Sequence, residues 1–259
     1  MSRGCTSPSM GERLVGMANK FYQPGTERAQ KVNDLFAAVA PRYDLINDLQ
    51  SFGLHRWWKR RMLSLAEVLP GDAALDLCCG TGDVAFALTK RGAKVVGLDF
   101  SEPMLAVARR RGDSRTAEGN VAPEFLQGDA MNLPFANASF DVVTMSYGLR
   151  NLSDWDRGLK EMFRVAKPGG RILILDFGKP DDPWLRAAYF AYLRWLVPVF
   201  GRAFCGDADT HGYILESLRA FPAQRGIESR MRDLDGRAVR VVNLLGGVMG
   251  INLAVKRIE

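Results

Sequence analysis

The chain has 259 residues, 47% of them hydrophobic and 25% charged, with a formal net charge of +6. That length suits one full α/β domain with appendages, and the composition excludes a disordered chain, a collagen-like one and an integral membrane protein. The basic residues sit in short clusters, HRWWKRR (55–61) and ARRR (108–111), the second read as a solvated helix end, and no RNA-recognition motif, zinc knuckle or long basic arm goes with them, so nucleic acid is not expected as a partner. Cys5, Cys78, Cys79 and Cys205 have no metal-ligand spacing, and the adjacent pair makes a poor disulfide; no metal is expected, and a reducing cytoplasm fits.

Residues 1–25 lack an uninterrupted apolar run and read as a flexible leader rather than a secretory signal. Residues 26–70 follow a helical pattern broken at Pro41 and predict an N-terminal helical cover. A domain over 71–259 then begins with alternating elements: AALDLCC (73–79) as strand, DVAFALTKRG (83–92) as helix closed by Gly92, KVVGLDF (94–100) as strand, and SEPMLAVARRRG (101–112) as helix capped by Ser101. PEFLQGDA (123–130), FDVVTMSYG (140–148) and RILILDF (171–177) read as further strands, with a helix over 155–166 and a KPGG turn entering the last strand. Near-continuous apolar runs in these strands require cover on both faces, so the fold class is α/β, a mostly parallel doubly wound Rossmann-like sheet. Residues 180–230 read as a helical lid insertion, and RAVRVVN (237–243) with GVMGINLAVKR (247–257) as a C-terminal antiparallel hairpin joined through LLGG. Within the lid, residues 184–200 carry an apolar helical stripe of Trp184, Leu185, Ala188, Tyr189, Tyr192, Leu193, Leu196 and Val197, interrupted by Arg186, Arg194 and Pro198, too short and too charged to span a bilayer.

LDLCCGTGD (75–83) carries the chemistry. Gly80, Gly82 and Ala85 satisfy G-x-G-x-x-A, and Asp99 follows at the spacing of a ribose-binding acid, which by itself signals a dinucleotide. Asp83, however, lies where the next helix begins, and a carboxylate there repels the pyrophosphate that such a helix would receive. A cofactor with a ribose and no phosphates fits better. S-adenosyl-L-methionine has one, together with an ammonium and a sulfonium that Asp76 would favour. Asp99 would accept the ribose hydroxyl protons, Asp129 the adenine amino group with the Ala130 N–H beside the ring, and Ser146, at the end of the next strand, would face the methionine portion. A nicotinamide-dependent oxidoreductase is the alternative from another class.

The segments VNDLFAAVAPRYDLINDLQSFGLHRWWKR, LDLCCGTGD, GDAMNLPF with SFDVVTMSYGLRN, KPGGRILILDFGKP and YILESLRAFPAQ closely resemble the UbiE/MenG family of ubiquinone and menaquinone C-methyltransferases. The resemblance implies methylation of a ring carbon of a polyprenylated quinol, and it places Thr81, Asp99, Asp129, Ala130 and Ser146 on the cofactor and Arg150 and Asn151 beside the substrate. Two departures are visible: Thr210 and His211 stand where the family commonly has Ser-Tyr, and Asn252 stands where it commonly has histidine.

Carbon methylation requires the ring carbon held about 3–3.5 Å from the methyl group. It also requires an electron-rich ring, and a quinol hydroxyl with a pKa of about 10 costs ~4 kcal/mol to ionise at pH 7 unless the site helps. Arg150 is a poor base and is expected to stabilise the developing phenolate or to hold an activating water, with Asn151 orienting the ring oxygen. Of the two histidines, His55 and His211, the first matches the family motif and is the candidate general base. Tyr43, Asp44 and Asp48 are expected on the substrate side. Demethylmenaquinol is the expected acceptor, with the methoxy-polyprenyl-benzoquinol of ubiquinone biosynthesis as the alternative. Transient contact of the 184–200 helix with the inner face of the membrane, and a homodimer, are further expectations.

Overall fold

The computed structural model describes Asp34, Phe36, Ala40, residues 43–197 and residues 209–258, with backbone alone at 50 and 209–213. The leader, Cys5, Cys205 and the side chains of Thr210 and His211 lie outside the described residues.

Two helices, α1 (Tyr43–Ser51) and α2 (Leu54–Leu65), precede the sheet. They are hinged at Gly53, whose φ of 73° belongs to the left-handed region that glycine enters freely. The alternation then runs β1 (Ala73–Leu77), α3 (Asp83–Thr89), β2 (Lys94–Asp99), α4 (Glu102–Ala117), β3 (Glu124–Gln127), β4 (Phe140–Ser146), α5 (Trp155–Val165) and β5 (Ala166–Phe177). Three helices follow, α6 (Pro183–Trp195), α7 (Asp209–Ala220) and α8 (Ala223–Asp233), before the closing hairpin β6 (Gly236–Leu244) and β7 (Met249–Lys256).

The seven strands lie in the order β3-β2-β1-β4-β5-β7-β6, parallel through β5, with β7 antiparallel to both β5 and β6. The Rossmann-like doubly wound sheet and its antiparallel C-terminal hairpin are thus as the sequence predicts. Successive side chains of each strand enter opposite cores, as the two-residue period demands. Leu75, Leu77, Val143, Met145, Ile172 and Ile174 pack on one face. Ala74, Val142, Leu173 and Leu175 pack on the other, with Trp58 and Met62 of α2.

Three local expectations need correction. Strand β1 stops at Leu77 because Cys78 turns into the left-handed region at φ 52°, so the two cysteines start the loop rather than finish the strand. The KPGG stretch is an excursion within β5 rather than a separate turn before it: Phe140 pairs with Ala166 and Val142 with Arg171, leaving Lys167–Gly170 bulged, with Gly169 at φ 77°. Ser101 occupies the N-cap position of α4, but its hydroxyl makes no capping bond.

The strand order places β1 between β2 and β4, where the winding direction reverses. Open α/β sheets open a crevice beyond the strand ends at such a point.

Candidate functional site

The loop after β1 alternates hands, with left-handed φ values at Cys78 (52°), Gly80 (56°) and Gly82 (88°). The Gly82 position requires glycine for space as well, since a Cβ there would sit 2.9 Å from both Phe125 and Phe86. This winding carries the Gly80 N–H to Asp99 at the end of β2, where it donates to Oδ2 at 2.7 Å. Asp99 Oδ1 accepts the Ser101 N–H at 2.9 Å. Burial pushes the Asp99 carboxyl up while these amides hold it down, and both oxygens keep lone pairs for a diol.

Asp99 lines a cavity of about 110 Å³ with Cys78, Gly80, Met104, Asp129, Ala130, Ser146, Tyr147 and Asn151. Five of the residues expected on the cofactor, Gly80, Asp99, Asp129, Ala130 and Ser146, therefore meet in one place. Asp129 Oδ1 accepts the Met131 N–H at 2.8 Å, which fixes the carboxylate at the turn after β3. Thr81 and Asp76 line a smaller recess of about 20 Å³ with Lys59 and Asp83, and Gly80, Ser146 and Cys78 line both spaces. The Thr81 hydroxyl donates to Asp44 Oδ1 at 2.9 Å, tying the glycine loop to the helical cover.

Asp76 tests directly whether S-adenosyl-L-methionine fits. The carboxyl is buried; Oδ1 accepts from Thr144 Oγ1 at 2.8 Å, its register partner on β4, while Oδ2 makes no close hydrogen bond, with the Ala85 N–H and Lys59 near enough to favour its charged form. Burial pushes its pKa up to about 7. An unsatisfied buried carboxylate oxygen is costly unless a cationic group reaches it, and the ammonium of the methionine end is such a group. The residues present fit the cofactor: Asp99 and Asp129 could meet the nucleoside and Asp76 the amino acid end.

A second, larger cavity of about 350 Å³ shares Phe36, Tyr43 and Tyr147 with the first. Trp58, Phe177, Tyr189, Tyr192, Leu193 and Met249 give it apolar and aromatic walls, and His55 and Arg150 also line it. Phe52, Leu54 and Leu245 line it while being exposed, so they mark its opening. Arg150 and Asn151 thus face different spaces, Arg150 the larger cavity and Asn151 the smaller.

Arg150 is buried in a short 3₁₀ turn. Its Nε lies 3.1 Å from Asp176 Oδ1, and Nη1 donates to Asn151 Oδ1 at 2.8 Å and to Ser217 Oγ at 3.1 Å. The Asn151 amide donates to the Tyr147 carbonyl at 3.0 Å. His55 Nδ1 lies 3.0 Å from Ser51 Oγ. Because the Ser51 hydroxyl donates to the Asn47 carbonyl at 2.6 Å, its oxygen is left to accept. Nδ1 must then carry the proton, which leaves Nε2 with a free lone pair. Burial lowers the His55 pKa, with Lys59 assisting, so the ring is neutral at pH 7.

Asp83 does not stand alone at the start of α3. Lys59 reaches it at 3.0 Å and Arg111 at 2.7 Å, and Arg111 also donates to Asp44 at 3.1 Å and to the Thr81 carbonyl at 2.8 Å. Burial would raise the Asp83 pKa, but these two cations drive it far below the usual carboxylate range. Arg111 is therefore a structural clamp rather than part of a solvated helix end. Its partners are 28 and 67 residues away, and no local pattern announces them. Asp48 pairs with Arg56 beside His55. Asn252, the departure near the C-terminus, lines neither cavity and donates to the Gln224 carbonyl at 2.8 Å in the sheet core.

The ubiE/COQ5 methyltransferase family, as a sequence profile, matches residues 25–256. The chain is 40% identical over 240 residues to the ubiquinone/menaquinone biosynthesis C-methyltransferase UbiE of Ectopseudomonas mendocina, covering 90% of this chain and 91% of that protein. It is 39% identical over 236 residues to the protein of the same name from Cellvibrio japonicus, covering 90% and 94%. Among solved structures, the putative methyltransferase complexed with the Haloferax volcanii Trm112 activator aligns with a TM-score of 0.64 at 18% identity, covering 88% of this chain and 98% of that one. A SAM-dependent methyltransferase from Aquifex aeolicus aligns with a TM-score of 0.55 at 20% identity, covering 76% and 88%. The nicotinamide-dependent oxidoreductase, left open by the glycine spacing, finds no support in any of these. With its strand-end acids, its unsatisfied Asp76 and a family match that spans both cavities, the chain belongs to the ubiE/COQ5 methyltransferase family and is a C-methyltransferase whose cofactor is S-adenosyl-L-methionine.

Proposed function

We propose that the acceptor is a polyprenylated quinol of ubiquinone or menaquinone biosynthesis, and that the reaction is demethylmenaquinol to menaquinol. The observation that carries this reading is the large aromatic-walled cavity that meets the cofactor cavity at Phe36, Tyr43 and Tyr147. A flat quinol ring fits between such walls, and Trp58, Phe177, Tyr189 and Tyr192 favour the wider fused ring through stacking area. The cofactor, when bound, supplies an electrophilic methyl group on sulfur.

The chain's own residues prepare the acceptor. His55, neutral and with Nε2 available, receives the quinol hydroxyl proton. Arg150 stays cationic at the wall of the same cavity and stabilises the quinolate oxygen, while Asp176, Ser217 and Asn151 fix its guanidinium. The helical cover holds the glycine loop in place through the Asp44, Asp83 and Arg111 network, and the two cavities meet beneath α1. Helix α6 forms a lid over the larger cavity through Tyr189, Tyr192 and Leu193.

The apolar stripe predicted on α6 is divided between two faces, which supports a role for this helix at a membrane. Tyr189, Leu193 and Val197 are buried, while Trp184 is 85% exposed and Trp195 70%. Leu185 lies over Gly246, next to Leu245 at the cavity opening, so exposed apolar side chains surround the mouth. Such a rim, with Arg186 and Arg194 on the same helix, suits transient contact with an anionic bilayer in which the isoprenoid tail is dissolved. No helix among the described residues is long and apolar enough to cross a membrane.

The test is a parallel assay of the purified protein with S-adenosyl-L-methionine and each quinol in reduced form. The proposal predicts a higher kcat/KM for demethylmenaquinol than for the methoxy-benzoquinol; the reverse order overturns the ring assignment, and no methylation of either overturns the quinol reading.

A further inference from the structure

Tyr147 stands where the two cavities meet and lines both of them. Its backbone has φ 61°, in the left-handed region that bulky side chains rarely adopt. Two contacts hold it there. Its N–H donates to the Leu175 carbonyl at 2.7 Å, and the next residue is Gly148, where a Cβ would sit 2.5 Å from that of Cys78. The loop is thereby pressed against the glycine loop and turns the Tyr147 ring towards Phe177, with centroids 5.9 Å apart. The phenol oxygen at the end of this ring is buried and has no hydrogen-bond partner. A buried hydroxyl is normally satisfied, so an unsatisfied one on a residue that lines both cavities points to a ligand atom.

We propose that Tyr147 is a catalytic residue of the methyl transfer: its phenol O–H donates a hydrogen bond to the quinol oxygen next to the carbon that receives the methyl group. This inference rests on the quinol reading above. No proton leaves Tyr147. The quinol hydroxyl proton goes to His55, the ring electron pair forms the new carbon–carbon bond and the carbon–sulfur pair returns to sulfur; the ring proton at the methylated carbon is then released to solvent, which restores aromaticity, and His55 returns its proton to the quinolate oxygen. Burial, with Tyr43 and Asp176 nearby, pushes the Tyr147 pKa well above its ordinary value, so the group remains a donor throughout. A hydrogen bond to an oxygen that is more negative in the transition state than in the neutral quinol favours ionisation of the acceptor at pH 7.

Tyr147→Phe removes only the oxygen and keeps the ring that separates the cavities. At pH 7 we expect kcat to fall about tenfold to a hundredfold, with KM for demethylmenaquinol and the dissociation constant for S-adenosyl-L-methionine within about twofold of wild type. Because the lost donor acts by easing ionisation of the quinol, raising the pH to 9 should narrow the deficit to about threefold; a purely structural role would leave the deficit the same at both pH values. A kcat within about twofold of wild type at pH 7, or a deficit that does not change with pH, overturns the assignment. A wild-type protein that turns over the quinol while Tyr147→Phe matches it defeats this inference alone, whereas a wild type inactive on the quinol defeats both readings.

Discussion

The smaller cavity is assembled from the ends of consecutive strands: Asp99 closes β2, Asp129 follows β3 and Ser146 closes β4, with β2 and β3 on one side of β1 and β4 on the other. The larger one is assembled from side chains far apart in the chain, among them His55 and Trp58 from α2, Tyr189 and Leu193 from α6 and Met249 from β7. The first exposes fixed carboxylates and backbone amides, which suit a polar, charged cofactor. The second presents aromatic and aliphatic walls, with His55 and Arg150 among its polar groups, each held by its own partners. On the proposed reading, the rigid sheet edge gives the cofactor a fixed position, and the N-terminal helices and α6 wrap the acceptor.

Substitutions that respect this division should affect one ligand and spare the other. The largest effect is expected at Asp99. Asp99→Ala removes the acceptor of two ribose hydroxyls, and with charged hydrogen bonds contributing about 1.5–3 kcal/mol each, the dissociation constant for S-adenosyl-L-methionine should rise by about a hundredfold or more by calorimetry. Next is His55→Gln, which should lower kcat about a hundredfold while leaving cofactor affinity unchanged. In the wild type, activity dependent on His55 should hold at neutral pH and fall on acidification through a pKa below the ordinary histidine value of 6.5, since the base must be unprotonated.

Asp76 should produce a different pH effect, confined to cofactor binding. Its carboxyl ionises at about 7 in the folded protein, so affinity for the ammonium-bearing cofactor should decline about tenfold as pH falls from 8 to 6, and Asp76→Asn should abolish that dependence. The same shift acts on stability with the opposite sign. The folded pKa lies above the ordinary 3.8, so the stability contributed by this group is present at low pH and lost as pH rises through about 7. Cofactor-free Asp76→Asn should therefore melt at a higher temperature than wild type at pH 8, by differential scanning calorimetry. The smallest effect is expected at the rim. Trp184→Ser with Trp195→Ser should weaken co-sedimentation with anionic vesicles by about tenfold while leaving cofactor affinity as in wild type.

The convergence of residues at the smaller cavity was legible in the sequence because it follows local rules. A glycine turn after one strand and an acid at the end of the next are spaced by the length of one β-α-β unit, and Gly80, Asp99, Asp129, Ala130 and Ser146 do converge. The hydrogen-bond partner of Asp76, Thr144, is 68 residues away and is fixed by strand register, which spacing alone does not reveal. A substrate side was expected only through the resemblance carried by SYGLRN and the N-terminal motif. Which of Arg150 and Asn151 faces which cavity depends on a 3₁₀ turn, and the fixing of Arg150 by Asp176 and Ser217 joins β5 to α7 across the fold. Arg111 resembled a surface arginine for the same reason: its carboxylate partners arrive from α1 and α3 only when the chain folds.

A crystal structure of the protein with S-adenosylhomocysteine and demethylmenaquinol would test the account most directly. It should show the adenosine against Asp99 and Asp129, the amino group within hydrogen-bond distance of Asp76 Oδ2, and the naphthoquinol ring between Trp58 and Tyr189 with an oxygen at Tyr147. A quinol ring bound outside the larger cavity, or a nucleoside bound away from Asp99, would contradict it.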